Sequence, residues 1–416
     1  MTVVHRIVSF GFNLIQRHFN VGHPTEQFFL LRCLDVVSPA MLLQRPRSNL
    51  EVALKTLCLS VMVAHAIALA YDFSQQTDVR LAMDMLSMLS LFVSIILRST
   101  CMRQYLAHIN ALDRLEKRPT FRVGTPYADE SRRNVALQNS RYLGVALVMH
   151  SLTVTMYVIQ NMVREHSFVK IITSFPVDLS ERAPVLERAA DLCYSLVGYV
   201  WGWYHGATQL TIIVLLRYAI TEFRVFLHSL DSLDDQLRQR REQSQGAPDE
   251  ERILRELLYE HARYHSQLVV VVTHLRTLLR NYSLVHFSFY MIIVATFMTR
   301  ISIIPGRSAF GLAIPLMATS IYFLETFGMC MLVEMLVQLN RKVSTSLYEF
   351  SWPQYLRYGR TIKRPMMLMM MQANMTKDFS AGGMTTVSAE LFAKTCRMIY
   401  TMMMFMANMA NVESQP

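Results

Sequence analysis

The chain has 416 residues, of which 52% are hydrophobic and only 17% charged, too apolar for an ordinary soluble domain of this length. Its net charge of +10 does not point to nucleic acid, because the basic residues are spread between long apolar runs instead of forming one patch; apposition to anionic inner-leaflet lipid accounts for them. The composition predicts an integral membrane protein.

Residues 1–49 carry no continuous apolar core and mix His5, Arg6, Arg17 and His18 with scattered apolar residues. This predicts a cytoplasmic segment without a cleavable signal. Seven apolar stretches follow, each read against the roughly 20 helical residues needed to cross about 30 Å of hydrocarbon. They lie near Leu50–Tyr71, Leu81–Leu97, Leu143–Met162, Leu192–Leu216, Tyr282–Ile304, Phe310–Leu339 and Ser388–Met409. With the N-terminus inside, 31 Lys and Arg fall on the inner side and 7 on the outer, a strong positive-inside signal. The expected fold is an all-α membrane protein with seven transmembrane helices, a cytoplasmic N-terminus and an extracellular C-terminus. The units are spans one to four over 50–216, a cytoplasmic helical hairpin over 217–281, spans five and six over 282–339, a cytoplasmic segment over 340–387, and a last span with a short outer tail over 388–416.

In the hairpin, Phe223, Phe226, Leu230, Leu233 and Leu237 recur at helical spacing, Gly246, Ala247 and Pro248 break the run, and Ile253, Leu254, Leu257 and Leu258 resume it. Two helices thus extend out of the bilayer and turn back. Their apolar stripe needs a cover, either each other or another subunit, and a subunit-assembly domain is the expected use. Downstream, Trp352, Pro353 and Tyr355 precede Pro365 and the run Met366 to Met371. That run is too short to span and predicts a buried helix at the cytoplasmic base. The 29 methionines serve either as core filler or as packing that rearranges during gating.

The six cysteines suggest no disulfide framework. Phosphate loops, G-x-S-x-G and H-E-x-x-H are all missing, so no catalytic residue, metal or cofactor is expected. His261 and His265, four apart, read as a solvated helix face without a third ligand.

A charge in hydrocarbon is costly unless it meets water or a partner, which singles out Asp84, His150, His205, Glu325, Glu334, Lys394 and Arg397. Asp84 and Glu334 sit near span ends and reach the interface. Lys394 and Arg397 share one helical face: either that face lines a pore, or Lys394 snorkels to the surface while Arg397 pairs with a carboxylate such as Glu325. Aromatic and polar groups gather in the outer halves of spans three and four. They comprise Tyr157 and Gln160, then Tyr194, Trp201, Tyr204 and His205, with Tyr194, Trp201, His205 and Thr208 on one face. Tyr194 fits an interfacial aromatic belt, whereas the deeper Trp201 and Tyr204 fit a cavity for a small, weakly polar ligand.

The segment Ser380 to Met409 resembles the last span of insect odorant receptors in Gly382-Gly383, Ser388, Phe392, Arg397 and the pair Tyr400-Thr401. Length, reversed topology and the long second inner loop extend the resemblance over the whole chain. It implies an odorant-binding tuning subunit of a ligand-gated, nonselective cation channel, a heterotetramer with the odorant receptor co-receptor (Orco) in the plasma membrane of olfactory neuron dendrites. The co-receptor's second inner loop is markedly longer than the 65 residues from Arg217 to Asn281. Carried over, the pore and gate fall at Arg397, Tyr400, Thr401, Phe405 and Met409, and the odorant pocket at Met88, Tyr157, Gln160, Trp201, Tyr204, His205 and Met317. A bulky Phe405 and a basic Arg397 depart from the co-receptor's pattern. Gustatory receptors are less similar, since their Thr-Tyr signature with a downstream Gln-Phe is missing. A G-protein-coupled receptor would carry an acidic-Arg-Tyr group and Asn-Pro-x-x-Tyr, neither of which occurs, and the charge topology is the opposite. Pro315 alone does not supply the paired broken helices of a transporter.

Overall fold

The computed structural model describes residues 29–37, 49–77, 79–116, 125–163, 184–243, 250–303, 309–349, 358–375 and 378–413. They form eleven helices and one minimal β-hairpin: α1 (Phe29–Val37), α2 (Asn49–Gln75), α3 (Val79–Gln104), α4 (Leu106–Glu116), α5 (Pro126–Val163), α6 (Pro184–Asp231), α7 (Leu233–Gln243), α8 (Glu250–Ile303), α9 (Ala309–Glu349), α10 (Arg360–Asn374), β1 (Ser380–Ala381), β2 (Thr385–Thr386) and α11 (Ala389–Glu413).

The helix starts follow local chemistry. Pro126 and Pro184 each occupy a first helical position, where the missing N–H is not needed. Before Pro126, Thr125 Oγ1 accepts the amide of Ala128 at 3.2 Å, an N-terminal cap. Helix α8 opens on Glu250 and Glu251, which suit its positive dipole end, and its 54 residues contain neither Gly nor Pro. At about 1.5 Å per residue it is roughly 80 Å long, far more than a bilayer core requires. Helices α5, α6 and α9 are also long, at 38, 48 and 41 residues. Hydropathy marks where a helix leaves hydrocarbon, whereas backbone propensity carries the helix on. The boundaries expected at 216, 281 and 339 accordingly fall inside continuous helices.

Four helices are long and apolar enough to cross a membrane among the described residues: α2, α3 from Leu81, α8 to Ser302, and α9 from Leu312. The other expected spans fall within α5, α6 and α11, and α11 carries Glu390, Lys394 and Arg397 in its first half. Helix α8 is the central post, packed by α3, α6, α9, α10 and α11. Bands of exposed apolar residues, such as Leu54, Leu57 and Ile67 on α2 and Val145, Val148 and Leu152 on α5, face outward. Lys55 is buried on α2 but bridged to Glu51 at 3.2 Å. Cys33, Cys58, Cys101, Cys330 and Cys396 are free thiols.

Beyond α6 the chain turns at Ser232 and continues as α7. Leu233 and Leu237 meet Leu254, Leu257 and Leu258 of α8, and Ile362 and Met366 of α10 complete this second core. The hairpin's apolar stripe is therefore closed by the methionine-rich helix of the same chain. That helix begins at Arg360, ahead of Pro365. Trp352, Pro353 and Tyr355 lie outside the described residues. The solvated face expected for His261 and His265 is overturned, as both are buried. His261 Nδ1 donates to the Leu257 carbonyl at 2.8 Å, its Nε2 meets Ser229 Oγ at 2.9 Å, and His265 stacks on Phe226. Helix α6 covers this side of α8, which a single helix's periodicity does not reveal. Burial lowers the His265 pKa to about 4, so the ring is neutral at physiological pH.

The connection from α10 to α11 is a tight hairpin with Ser380 opposite Thr386 and Ala381 opposite Thr385. Gly382 and Gly383 take φ of 63° and 81°, the left-handed region that favours glycine. The Gly382 amide donates to the Arg280 carbonyl at 2.7 Å, pinning the turn to α8. A methyl group at Gly382 would lie 2.9 Å from Leu284 Cδ2. Gly382→Ala is expected to destabilise by about 1–2 kcal/mol, mostly from the left-handed backbone. Gly359→Ala, at φ 66° with open space around it, is the control in thermal melting: the excess cost at Gly382 reports the contact with α8.

Candidate functional site

A cavity of about 110 Å³ lies among α3, α5, α6, α8 and α9. It sits toward the end of the bundle where α5 and α8 finish and α3, α6 and α9 begin. Its walls are mostly apolar, formed by Met88, Phe92, Ile95, Trp201, Phe297 and Ile321 among others. Trp201 is held edge-on against Phe92 at 4.8 Å between ring centroids and lies 5.6 Å from His65 of α2. Gly198 and Gly202 flatten one face of α6 against α5, where a methyl group at Gly202 would meet Val154 at 3.1 Å. Such a space suits a small, largely apolar ligand.

A polar cluster lies behind the apolar lining at the cavity floor. His150 and His205 line it, and behind them Glu325 places its oxygens 3.8 Å from His150 Nε2 and 3.4 Å from His205 Nε2. The hydrogen-bond partners fix the tautomers, because guanidinium is always a donor. Arg98 donates to His205 Nδ1 and, at 3.5 Å, to His286 Nδ1. In their neutral forms both rings then carry the proton on Nε2; His205 directs it at Glu325, and His286 donates to Thr326 Oγ1 at 3.0 Å. His150 is oriented the other way. Its Nδ1–H donates to the Ala146 carbonyl at 2.7 Å, leaving Nε2 as a bare acceptor, buried and without a hydrogen-bond partner. Tyr282 donates to Gln209 Oε1 at 2.6 Å, and the Gln209 amide lies 3.4 Å from the Glu325 carbonyl.

The ligand atoms of His150, His205 and Glu325 lie within 4.8 Å of one another, close enough to raise a metal ion as an occupant. Arg98 opposes that use. Its hydrogen bond keeps the proton on the His205 nitrogen that faces the cluster, and its charge repels a second cation.

Of the expected pocket residues, Met88, Trp201 and His205 line the cavity. Tyr204 is buried but does not line it, and Met317 is half-buried beside the lining residue Ala318. The side chains of Tyr157, Gln160 and Tyr194 lie outside the described residues. Sequence reading missed Phe92, Phe297 and Tyr322, and it placed Arg98 in an inner loop. Arg98 is fully buried within α3, because the helix continues past the end of the apolar run. The available signal was the set of polar residues on the facing helices, His205, His286 and Glu325.

On α11, Arg397, Thr401, Phe405 and Met409 follow one another at intervals of four and are all exposed, as is Tyr400. The alternative in which Arg397 pairs with Glu325 fails, since Glu325 is enclosed with the two histidines. Lys394 instead meets Glu390 at 2.7 Å on the surface. The start of α11 is capped twice: Ser388 Oγ accepts the Leu391 amide at 3.3 Å, and Glu334 Oε2 accepts the Ala389 amide at 3.3 Å. Glu334 thus complements the positive end of this helix rather than simply reaching the interface.

Two solved structures share this fold. The insect olfactory receptor OR5 from Machilis hrabei in complex with eugenol superposes with a TM-score of 0.72 at 11% identity, covering 92% of this chain and 98% of that one. The same receptor described without eugenol gives 0.70 at 11% identity, covering 90% and 97%. No curated protein sequence matches the chain. The family profile described as 7tm Odorant receptor matches residues 78–400. With most of its length matched, the chain belongs to the 7tm odorant receptor family.

Proposed function

We propose that the protein is the odorant-binding tuning subunit of a ligand-gated cation channel, assembled with the odorant receptor co-receptor in the plasma membrane. The observation that carries this reading is the aromatic-lined cavity between five helices in a chain of the odorant receptor family. The OR5 receptor with eugenol bound has the same fold, which supports a small volatile ligand. Seven spans are reached by adding α5, α6 and α11 to the four strongest, with the charge pattern favouring an external C-terminus.

The exposed stripe Arg397, Thr401, Phe405 and Met409 supports α11 as the helix that faces the assembly's axis, with Phe405 and Met409 as the gate. The β1–β2 hairpin between α10 and α11, pinned to α8 through Gly382, gives α11 its footing on that helix. In this mechanism an odorant in the cavity favours the arrangement in which α11 leans outward. It shifts the equilibrium only by its difference in affinity between the two arrangements.

Staining of a tag after Pro416 on intact cells co-expressing the co-receptor is expected, together with odorant-evoked cation current. Staining confined to permeabilised cells at normal surface expression would overturn the topology. Trp201→Phe, which widens the cavity without emptying it, is expected to move half-maximal odorant concentrations about tenfold while the maximal current per surface receptor changes less than about twofold. Unchanged tuning with reduced surface expression would make Trp201 structural only.

A further inference from the structure

We infer that the cavity floor selects odorants bearing a neutral hydroxyl group, through donation of the hydroxyl proton to His150 Nε2. The inference rests on the odorant-receptor reading and names the ligand class for that site.

The argument is a count of protons. His150 Nε2 and Glu325 Oε1 face each other at 3.8 Å. The nitrogen's proton is on the opposite side of the ring, in the hydrogen bond to Ala146, and an ionised Glu325, the countercharge to Arg98, has none to give. Two acceptors therefore confront one another at the base of an otherwise apolar space. Among the described residues the donor that faces Glu325 is His205 Nε2–H, 3.4 Å from Oε2 and short of a hydrogen bond, its tautomer set by Arg98. His150 Nε2 is buried and lacks a partner, an arrangement that costs free energy until a donor arrives. The ring cannot turn away cheaply: it gives up the Ala146 bond if it flips, and it packs at 3.2–3.4 Å from the position a Cβ would take on Gly206.

The charges already present narrow the donor. Arg98 and Glu325 balance to zero within the buried cluster. An ammonium would add an unbalanced charge beside Arg98, and a carboxylate would face Glu325. An aldehyde, ether or ester brings only acceptors: it can accept a hydrogen bond from His205 Nε2–H but leaves His150 Nε2 without the donor it lacks. A neutral hydroxyl supplies the missing proton without adding charge, and mismatched polar groups of this kind discriminate strongly because they stay unpaired when the wrong ligand binds. The aromatic walls of Phe92, Trp201 and Phe297 suit a ring or short chain behind the hydroxyl.

The test uses benzyl alcohol, benzyl methyl ether, benzaldehyde and benzylamine on the full receptor co-expressed with its co-receptor, with dose–response currents. Thermal-shift binding on purified receptor in lipid nanodiscs runs in parallel. In the wild type the alcohol is expected to be at least tenfold more potent than the ether and the aldehyde. His150→Phe should bring that ratio to about one while leaving a response to the ether. His150→Gln, which keeps an acceptor, should retain part of the preference. Should His150→Phe fail to reach the surface, the wild-type ranking and His150→Gln decide. Equal potency of alcohol and ether, a preference for benzylamine, or no binding of the alcohol each overturns the inference. Alcohol-selective binding without current leaves the inference standing and defeats the channel reading; current without discrimination does the reverse.

Discussion

Arg132→Ala is expected to lower the free energy of unfolding by about 3–5 kcal/mol, the cost of leaving one member of a buried ion pair alone. Arg132 of α5 grips Glu222 of α6 with two parallel hydrogen bonds, Nε to Oε1 at 2.9 Å and NH2 to Oε2 at 2.8 Å. Tyr264 of α8 donates to the same Oε2 at 2.7 Å. Glu222 is 1% exposed, so its charge depends on these donors. Burial alone would pull the guanidinium pKa down, but the hydrogen bonds and charge of Glu222 more than offset it and leave it raised. Tyr264 is pushed well above its ordinary value by burial first and by Glu222 second, so it remains a donor. Three of the five cavity-lining helices are clamped at this point, well away from the cavity along the bundle. The check is thermal melting of purified receptor together with surface labelling. Arg132→Lys should recover only part of the loss, because an ammonium cannot reproduce the fork. Replacing both partners, Arg132→Met with Glu222→Leu, should cost less than Arg132→Ala alone. A single-variant cost under about 1 kcal/mol would show that the pair behaves as an exposed one.

This clamp was not legible in the sequence, and the reason is general to the chain. Apolar periodicity marked the four helices that are long and apolar enough to cross a membrane, and it marked Trp201 and His205 as facing inward because aromatic and polar residues recur together on one face of α6. It did not say what lay opposite. Phe92 and Phe297 read like any other apolar residue on a span, since the face of α3 or α8 that turns inward is decided by neighbours far away in sequence. The spacing of His261 and His265 predicts a solvated face because nothing within their own helix indicates that α6 covers them. Arg98 was read as a loop charge because an arginine ends a hydropathy window, although the helix runs on to Gln104. In each instance the missing information was a tertiary partner. The exposed stripe on α11 is the converse: the resemblance marked it, and no helix among the described residues covers it.

The buried relay beneath the cavity makes the sharpest demand of this kind. Arg98→Met is expected to destabilise the protein by about 3–5 kcal/mol, since it removes the donor from His205 Nδ1 and His286 Nδ1 and leaves Glu325 without a buried cation to balance it. Arg98 and Glu325 act through the His205 ring rather than by direct contact. Neutralising the acid as well, with Glu325→Gln, should therefore restore part of the loss, so that the double variant is about 1–3 kcal/mol more stable than the two single costs predict together. Strict additivity in the melting cycle would mean that the two charges do not sense each other through His205, and the tautomer assignment at the cavity floor would fall with it. A positive coupling carries a further consequence for recognition. With Arg98 gone, His205 is free to place its proton on Nδ1 and present a second acceptor to the cavity, so the receptor should respond more alike to different hydroxyl compounds even where stability is recovered. The two opposite charges would then be kept less for the stability they add than for the ring orientation they enforce.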